Sequence, residues 1–210
     1  MGWPPNADNV PSSFWQEAEE RRQREAFLVL YLMFLGSADF HVGEGDEDPL
    51  GLDLDDRLDG LATVYAEDAS RTLARKYRER SEAAFNRLRT RLDATTSKSG
   101  ESAMTKSEFE DELAKVAGPD RDAEAAATGT TGAQTAGGDA AISETQGGVS
   151  QADRWINQPH LTRTGPCERC EALHEKPRKD WASIDEFAGD GPPLHDHCAC
   201  VVEYAAPVAV

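Results

Sequence analysis

The chain has 210 residues and carries 39 acidic against 22 basic side chains, a formal charge of −17. Such a balance excludes binding of DNA or an anionic membrane by bulk attraction, so any nucleic-acid contact must come from a local basic patch. The hydrophobic set is 39% of the chain, and Gly and Ala are concentrated in one stretch, which leaves a core smaller than the length implies.

The first ten residues lack Lys, Arg and an apolar core, so no signal peptide is expected there. Residues 1–11, with three prolines, read as an extended arm. Ser12 and Ser13 offer an N-cap, and Gln16 follows Ser13 at capping-box spacing. A helix is predicted from there to about Leu35, closed by Gly36. Its apolar run, residues 26–35, is ten residues long, too short to span a bilayer and suited to a buried helix face.

Residues 41–59 are acidic. Asp46, Asp48 and Gly51 fit the start of a calcium loop, but Leu50 takes a ligand position and Arg57 stands where the bidentate Glu belongs, so an acidic connection is expected. The clearest helix follows. Leu58, Leu61, Tyr65, Ala69, Leu73, Tyr77, Ala84, Phe85, Leu88 and Leu92 recur mostly at three- and four-residue steps. An antiparallel hairpin with the first helix is predicted. Between Arg71 and Arg91 it carries eight basic residues: Arg71, Arg75, Lys76, Arg78, Arg80, Arg87, Arg89 and Arg91. This stripe reads first as a solvated face balanced by the acidic loop. Its functional reading is a contact with DNA phosphates or an acidic partner.

Ser97 to Ser102 reads as a break. Thr105 and Glu108 then form a second capping box, Phe109, Leu113 and Val116 mark a short apolar face, and Gly118-Pro119 ends that helix. Residues 119–150, dominated by Ala, Gly and Thr from Glu124 on, read as a flexible linker; a short, poorly stable helix around Ala125, Ala126 and Ala127 is the other reading, and glycines at 129, 132, 137 and 138 argue against a long one.

All four cysteines fall in the last quarter, as Cys167-Glu-Arg-Cys170 and Pro192-Pro-Leu-His195-Asp-His197-Cys198-Ala-Cys200. Two residues between cysteines let both sulfurs face one tetrahedral ion. Cys167, Cys170, His195, Cys198 and Cys200 are five candidates for four positions. In extended chain Cys198 and Cys200 point to one side. His160 and His174 are weaker candidates. Three other readings are open: disulfides in any of three pairings, a thioredoxin-like redox pair, and a Cys–His nucleophile. No strand–helix–strand pattern or orienting partner accompanies the last two. Residues 151–204 contain few large apolar side chains, so a structural metal, zinc by its thiolate-rich shell, is the expected staple. A closed thiolate shell leaves no position for water, and no enzyme is expected. Val201 to Tyr204 is the expected strand.

Trp155, the C-x-x-C, Leu173, Phe187 and the Pro192-Pro193-x-His195-x-x-Cys198-x-Cys200 ending together resemble the phage Mu F-like minor head (head morphogenesis) proteins. Two positions depart from that family: Ala199 stands where Arg is usual and Asp196 where Pro is usual, and neither is a candidate ligand. The resemblance implies a virion component made in the bacterial cytoplasm, acting near the portal in head assembly or genome delivery. Portal and major capsid proteins are its implied partners, and packaged DNA could meet the Arg71–Arg91 stripe; no membrane partner is expected. A zinc-ribbon nucleic-acid-binding protein is the alternative, disfavoured by the net charge and by the lack of basic and aromatic residues around the knuckles.

The expected fold is therefore mainly α: an arm (1–11), a long helical hairpin with an acidic loop (12–95), a break and short helix (96–118), a linker (119–150), a small metal-stabilised irregular/β C-terminal module (151–204) and a tail (205–210).

Overall fold

The computed structural model describes residues 12–42, 54–99, 104–117, 119–158, 167–189, 191–194 and 198–205. The arm at 1–11, most of the acidic loop with its calcium-like motif, His160 and His195 lie outside the described residues. The protein is mainly helical, with a small strand pair beside the cysteines. Its elements are α1 (Ser12–Val42), α2 (Leu54–Ser99), α3 (Lys106–Ala117), α4 (Pro119–Gln146), β1 (Arg154–Ile156), α5 (Glu168–Leu173), α6 (Arg178–Ile184) and β2 (Val201–Glu203).

The chain divides into two compact units, and the boundary cuts the expected hairpin. One unit holds Met1–Ala26 with Ser70–Glu124, and the other holds Phe27–Ala69 with Ala125–Val210. The cysteine segment is therefore part of a larger unit that includes the second part of α1 and the first part of α2.

In the first unit the α1 and α2 segments run antiparallel. Trp15 meets Phe85 edge-on, and Arg22 lies over the Tyr77 ring at 3.7 Å. Phe85, Leu88 and Phe109 form the core, with Trp15, Met104 and Leu113 against it. The predicted capping box at the start of α3 is present. Thr105 N–H donates to Glu108 Oε2 at 2.7 Å, and Glu108 N–H donates to Thr105 Oγ1 at 3.2 Å. The Thr105 N–H, with the Thr105 hydroxyl donating to the same oxygen at 3.0 Å, holds the Glu108 carboxyl below its ordinary pKa. The basic stripe is partly committed: Arg78 bonds Glu19 at 2.9 Å and Arg89 pairs with Asp93 at 3.8 Å. Arg71, Arg75, Lys76 and Arg87 are exposed.

In the second unit, Leu30, Phe34 and Ala38 are the buried edge of α1, facing Leu58, Ala62 and Ala66 of α2. Gly36 does not end α1, because this inner periodicity runs past it to Val42. The glycine sits on the exposed face, where its cost to the helix is about 1 kcal/mol. The ten-residue apolar run is thus part of a longer helix that meets the length and composition of a bilayer span, with hydropathy 1.4 over its most apolar window. Mostly buried core helices of soluble proteins and signal sequences meet the same test, and here 17% of that window is buried.

The expected linker is a helix. α4 covers 28 residues in spite of its glycines, because glycine is what its packing requires. A Cβ on Gly137 would stand 2.1 Å from the Phe34 carbonyl oxygen, and one on Gly138 would stand 2.5 Å from the Tyr204 hydroxyl. Ala133, Ala141 and Ile142 are buried beside them. Thr135 and Thr145 bond their hydroxyls to carbonyls four residues back, which lets polar side chains face a helical interface. Close helix approach thus offsets a poor propensity. The break expected at 97–102 is also displaced, since α2 continues to Ser99.

Candidate metal centre

β1 and β2 pair antiparallel, with Arg154 opposite Glu203, Trp155 opposite Val202 and Ile156 opposite Val201. Val201 to Glu203 is the strand expected from its β-branched residues, and β1 is its partner. On the other side of β1, Trp155 N–H donates to Lys176 O at 3.2 Å, and Glu175 N–H donates to Trp155 O at 2.7 Å. Trp155 and Trp181 are fully buried and meet edge-to-face at 5.3 Å. Around them close Leu173, Ala188, Leu194, Cys170, Cys198 and Cys200. A core this small buries little apolar area for its length, the condition in which a cross-link adds most.

The first knuckle forms because Cys167 is the N-cap of α5. Its backbone is extended, and its sulfur accepts the Cys170 N–H at 3.3 Å. Cys170 then sits in the first helical turn, with its sulfur directed into the core. Cys198 and Cys200 come from extended chain just ahead of β2, where a two-residue step puts both side chains on one face. Gly191 provides the entry to this segment. Its φ of +84° is left-handed, and a Cβ there would crowd Thr135 Cγ2 at 3.1 Å.

The sulfurs of Cys170, Cys198 and Cys200 lie within 4.8 Å of one another, all three are buried, and the Cys170–Cys198 separation is 3.9 Å. Thiolates about 2.3 Å from a tetrahedral ion stand about 3.8 Å apart, so this spacing suits one ion bound between them. None of the four cysteines is in a disulfide. Cys167 is half-buried at the edge of the cluster and outside the three-sulfur group. His174 is not a ligand candidate in the structure; its Nδ1 accepts the Asn157 N–H at 3.2 Å.

The electrostatics fit a cation. Hydrogen bonds from Cys170 and Cys200 hold the Cys198 thiol far down, to about 2. The Cys170 thiol is pushed strongly up, chiefly by its hydrogen bond with Cys198. Three thiols in contact cannot all ionise alone, because each thiolate raises its neighbours. A bound cation removes that conflict. The Trp155 indole N–H is a second sign. It is buried without a hydrogen-bond partner among the described residues, beside Cys200, whose thiol is pushed up to about 12.

A polar clasp beside the cluster was not foreseen. Arg178 makes a two-pronged contact with Asp139 of α4, at 2.7 and 3.1 Å. Its Nε is 3.3 Å from Asp153 Oδ2, an ion pair without hydrogen-bond alignment. Asp153 is fully buried and accepts the backbone N–H of Ser150 and Ala205 through its two oxygens. Tyr204 donates its hydroxyl to Asp139 at 2.7 Å. Replacing Asp153 with Ala orphans two N–H groups and removes one carboxylate from a buried guanidinium. The expected cost is about 3 kcal/mol, read as a lower urea midpoint with unchanged slope. A shift under 1 kcal/mol would count against the clasp.

The clasp also sets an alkaline limit. Burial first, then the Asp139 charge and hydrogen bond, raise the Tyr204 pKa above its ordinary 10.0. The folded protein therefore keeps a proton that the unfolded chain gives up, and stability falls as pH rises above 10. Urea midpoints between about pH 8 and 11 are expected to decline less steeply for Tyr204→Phe than for the native chain. Equal slopes would remove Tyr204 from the account.

No family model, curated protein or solved structure matches this chain.

Proposed function

We propose that this protein is a structural or assembly component of a tailed-phage head, of the Mu F-like minor head type, with its C-terminal module folded around a structural zinc ion. The observation that carries the reading is the meeting of two halves of one pattern. Residues of the C-x-x-C and of the Pro-Pro-x-His-x-x-Cys-x-Cys ending, 28 positions apart at Cys170 and Cys198, bring their sulfurs to 3.9 Å. Soft thiolates at tetrahedral spacing favour zinc over the oxygen-seeking divalent ions. Cys170, Cys198 and Cys200 would hold the ion, with Cys167 or His195 as the fourth ligand. Such a shell has no open position, so its work is cohesion rather than catalysis.

On this reading the helical part docks the module in the head, near portal and capsid proteins. The exposed Arg71, Arg75, Lys76 and Arg87 are the surface offered to DNA or to acidic portal residues. The test has two readouts. Metal analysis of the purified protein should give about one zinc per chain, and quantitative mass spectrometry of purified virions should find the protein at a few copies per head. A zinc-bound protein absent from virions, yet retained on DNA in a salt-dependent way, would replace the head assignment with a nucleic-acid-binding one.

A further inference from the structure

The second face of α1 forms one wall of an apolar groove that the metal and the head assignment leave unused. The groove encloses about 490 Å³, with Leu32, Gly36 and Phe40 on one side, Val201 and Val202 on the other, and Thr135 of α4 at its base. Its large side chains are open to solvent: Leu32 is 57% and Phe40 79% exposed, and Leu28 one turn earlier is 57% exposed. A helix apolar on both faces needs a second surface against it.

The strand indicates what that surface is. Trp155 spends its N–H and C=O on Lys176 and Glu175, on the side of β1 away from β2. In an antiparallel ladder Trp155 and Val202 are therefore the non-hydrogen-bonded pair, and the Val202 N–H and C=O point away from β1. No backbone partner meets them among the described residues. An apolar wall beside an unpaired strand edge is the arrangement that accepts an added strand. Charge narrows the partner further. Asp39 and Glu203, the chain neighbours of Phe40 and Val202, are both exposed, and no ion pair to either occurs among the described residues.

We propose that the outer edge of β2 binds an extended segment of another protein by strand addition, one that alternates apolar residues toward the groove and carries Lys or Arg at its ends. The net charge of −17 disfavours a second copy as the occupant.

The test uses the full-length protein in zinc-containing buffer, so that loss of the metal is not the variable. The probe is a labelled peptide alternating valine and threonine with a lysine at each end, followed by fluorescence anisotropy. N-methylation of its central valine amide, which removes the strand-edge bond, is expected to weaken binding at least tenfold. Gly36→Leu fills the groove without a steric conflict, since a Cβ there has nothing within 4 Å, and is expected to abolish binding. Asp39→Lys with Glu203→Lys is expected to weaken it at least fivefold. Equal affinity of the native and N-methylated peptides, or of native protein and Gly36→Leu, overturns the proposal. So does a concentration-dependent dimer in light scattering that Gly36→Leu dissolves, which assigns the face to a second copy. Flotation with phosphatidylcholine vesicles that Phe40→Asp abolishes would assign it to lipid instead and equally overturns strand addition.

Discussion

Serine in place of Cys198 is expected to abolish the proposed zinc binding and loosen the C-terminal module. Cys198 is 2% exposed, stands 3.9 Å from Cys170 and belongs to the three-sulfur group. A hydroxyl is a far poorer ligand for a soft ion, and it leaves only Cys170 and Cys200 of the three-sulfur group. Structural zinc supplies about 10–16 kcal/mol in small zinc-finger peptides, so loss of a ligand is expected to remove several kcal/mol here. Metal content should fall toward zero, and the near-ultraviolet signal of the Trp155–Trp181 pair should collapse. Chelation of the native protein should reproduce both changes. Cys167→Ser and His195→Ala then identify the fourth ligand, because only one of them should lower the metal content. Full metal occupancy in Cys198→Ser, with an unchanged tryptophan signal, would end the case for this centre.

Gly137→Ala is expected to be the most damaging methyl group that can be added to the helices. Its Cβ would lie 2.1 Å from the Phe34 carbonyl oxygen and 3.1 Å from Phe34 Cα, and both are backbone atoms that no side-chain rotation can move. α4 and α1 would have to separate, and with them the contacts of Ala133, Ala141 and Ile142. A cost of about 3 kcal/mol or more is expected. Gly36→Ala is the matched control. It meets nothing within 4 Å and should stabilise the protein by about 0.5–1 kcal/mol through helix propensity. Thermal melts of the two variants should therefore move in opposite directions. A Gly137→Ala protein as stable as the native one would mean that α4 does not approach α1 in this way.

This contrast explains what could be read from the residues alone. Thr105–Glu108 and the β-branched run at Val201 are local signals, each complete within a few positions, and each has its expected form, whereas the C-x-x-C brings only Cys170 into the three-sulfur group. α4 was hidden because glycine carries two messages. Its propensity argues for a loop, whereas its absent side chain permits contact with a helix about a hundred positions away. Only the spacing of Gly132, Gly137 and Gly138, each against a different neighbour, could have hinted at a packed face. The clasp was equally illegible, because Asp139, Asp153, Arg178 and Tyr204 are scattered and polar. Each alone resembles a surface residue, and burial becomes apparent only when the four converge.

The same clasp bears on how the proposed metal would couple to the helices. α4 holds the module at three points: Thr131 donates to Cys198 O at 2.8 Å, Asp139 receives Arg178, and Tyr204 bonds to Asp139. The first lies on the carbonyl of Cys198. Affinity for the proposed ion and helix placement would therefore be linked functions, and linkage is reciprocal. Any partner that draws α4 off the module must loosen the ion by the same factor by which the ion resists that partner.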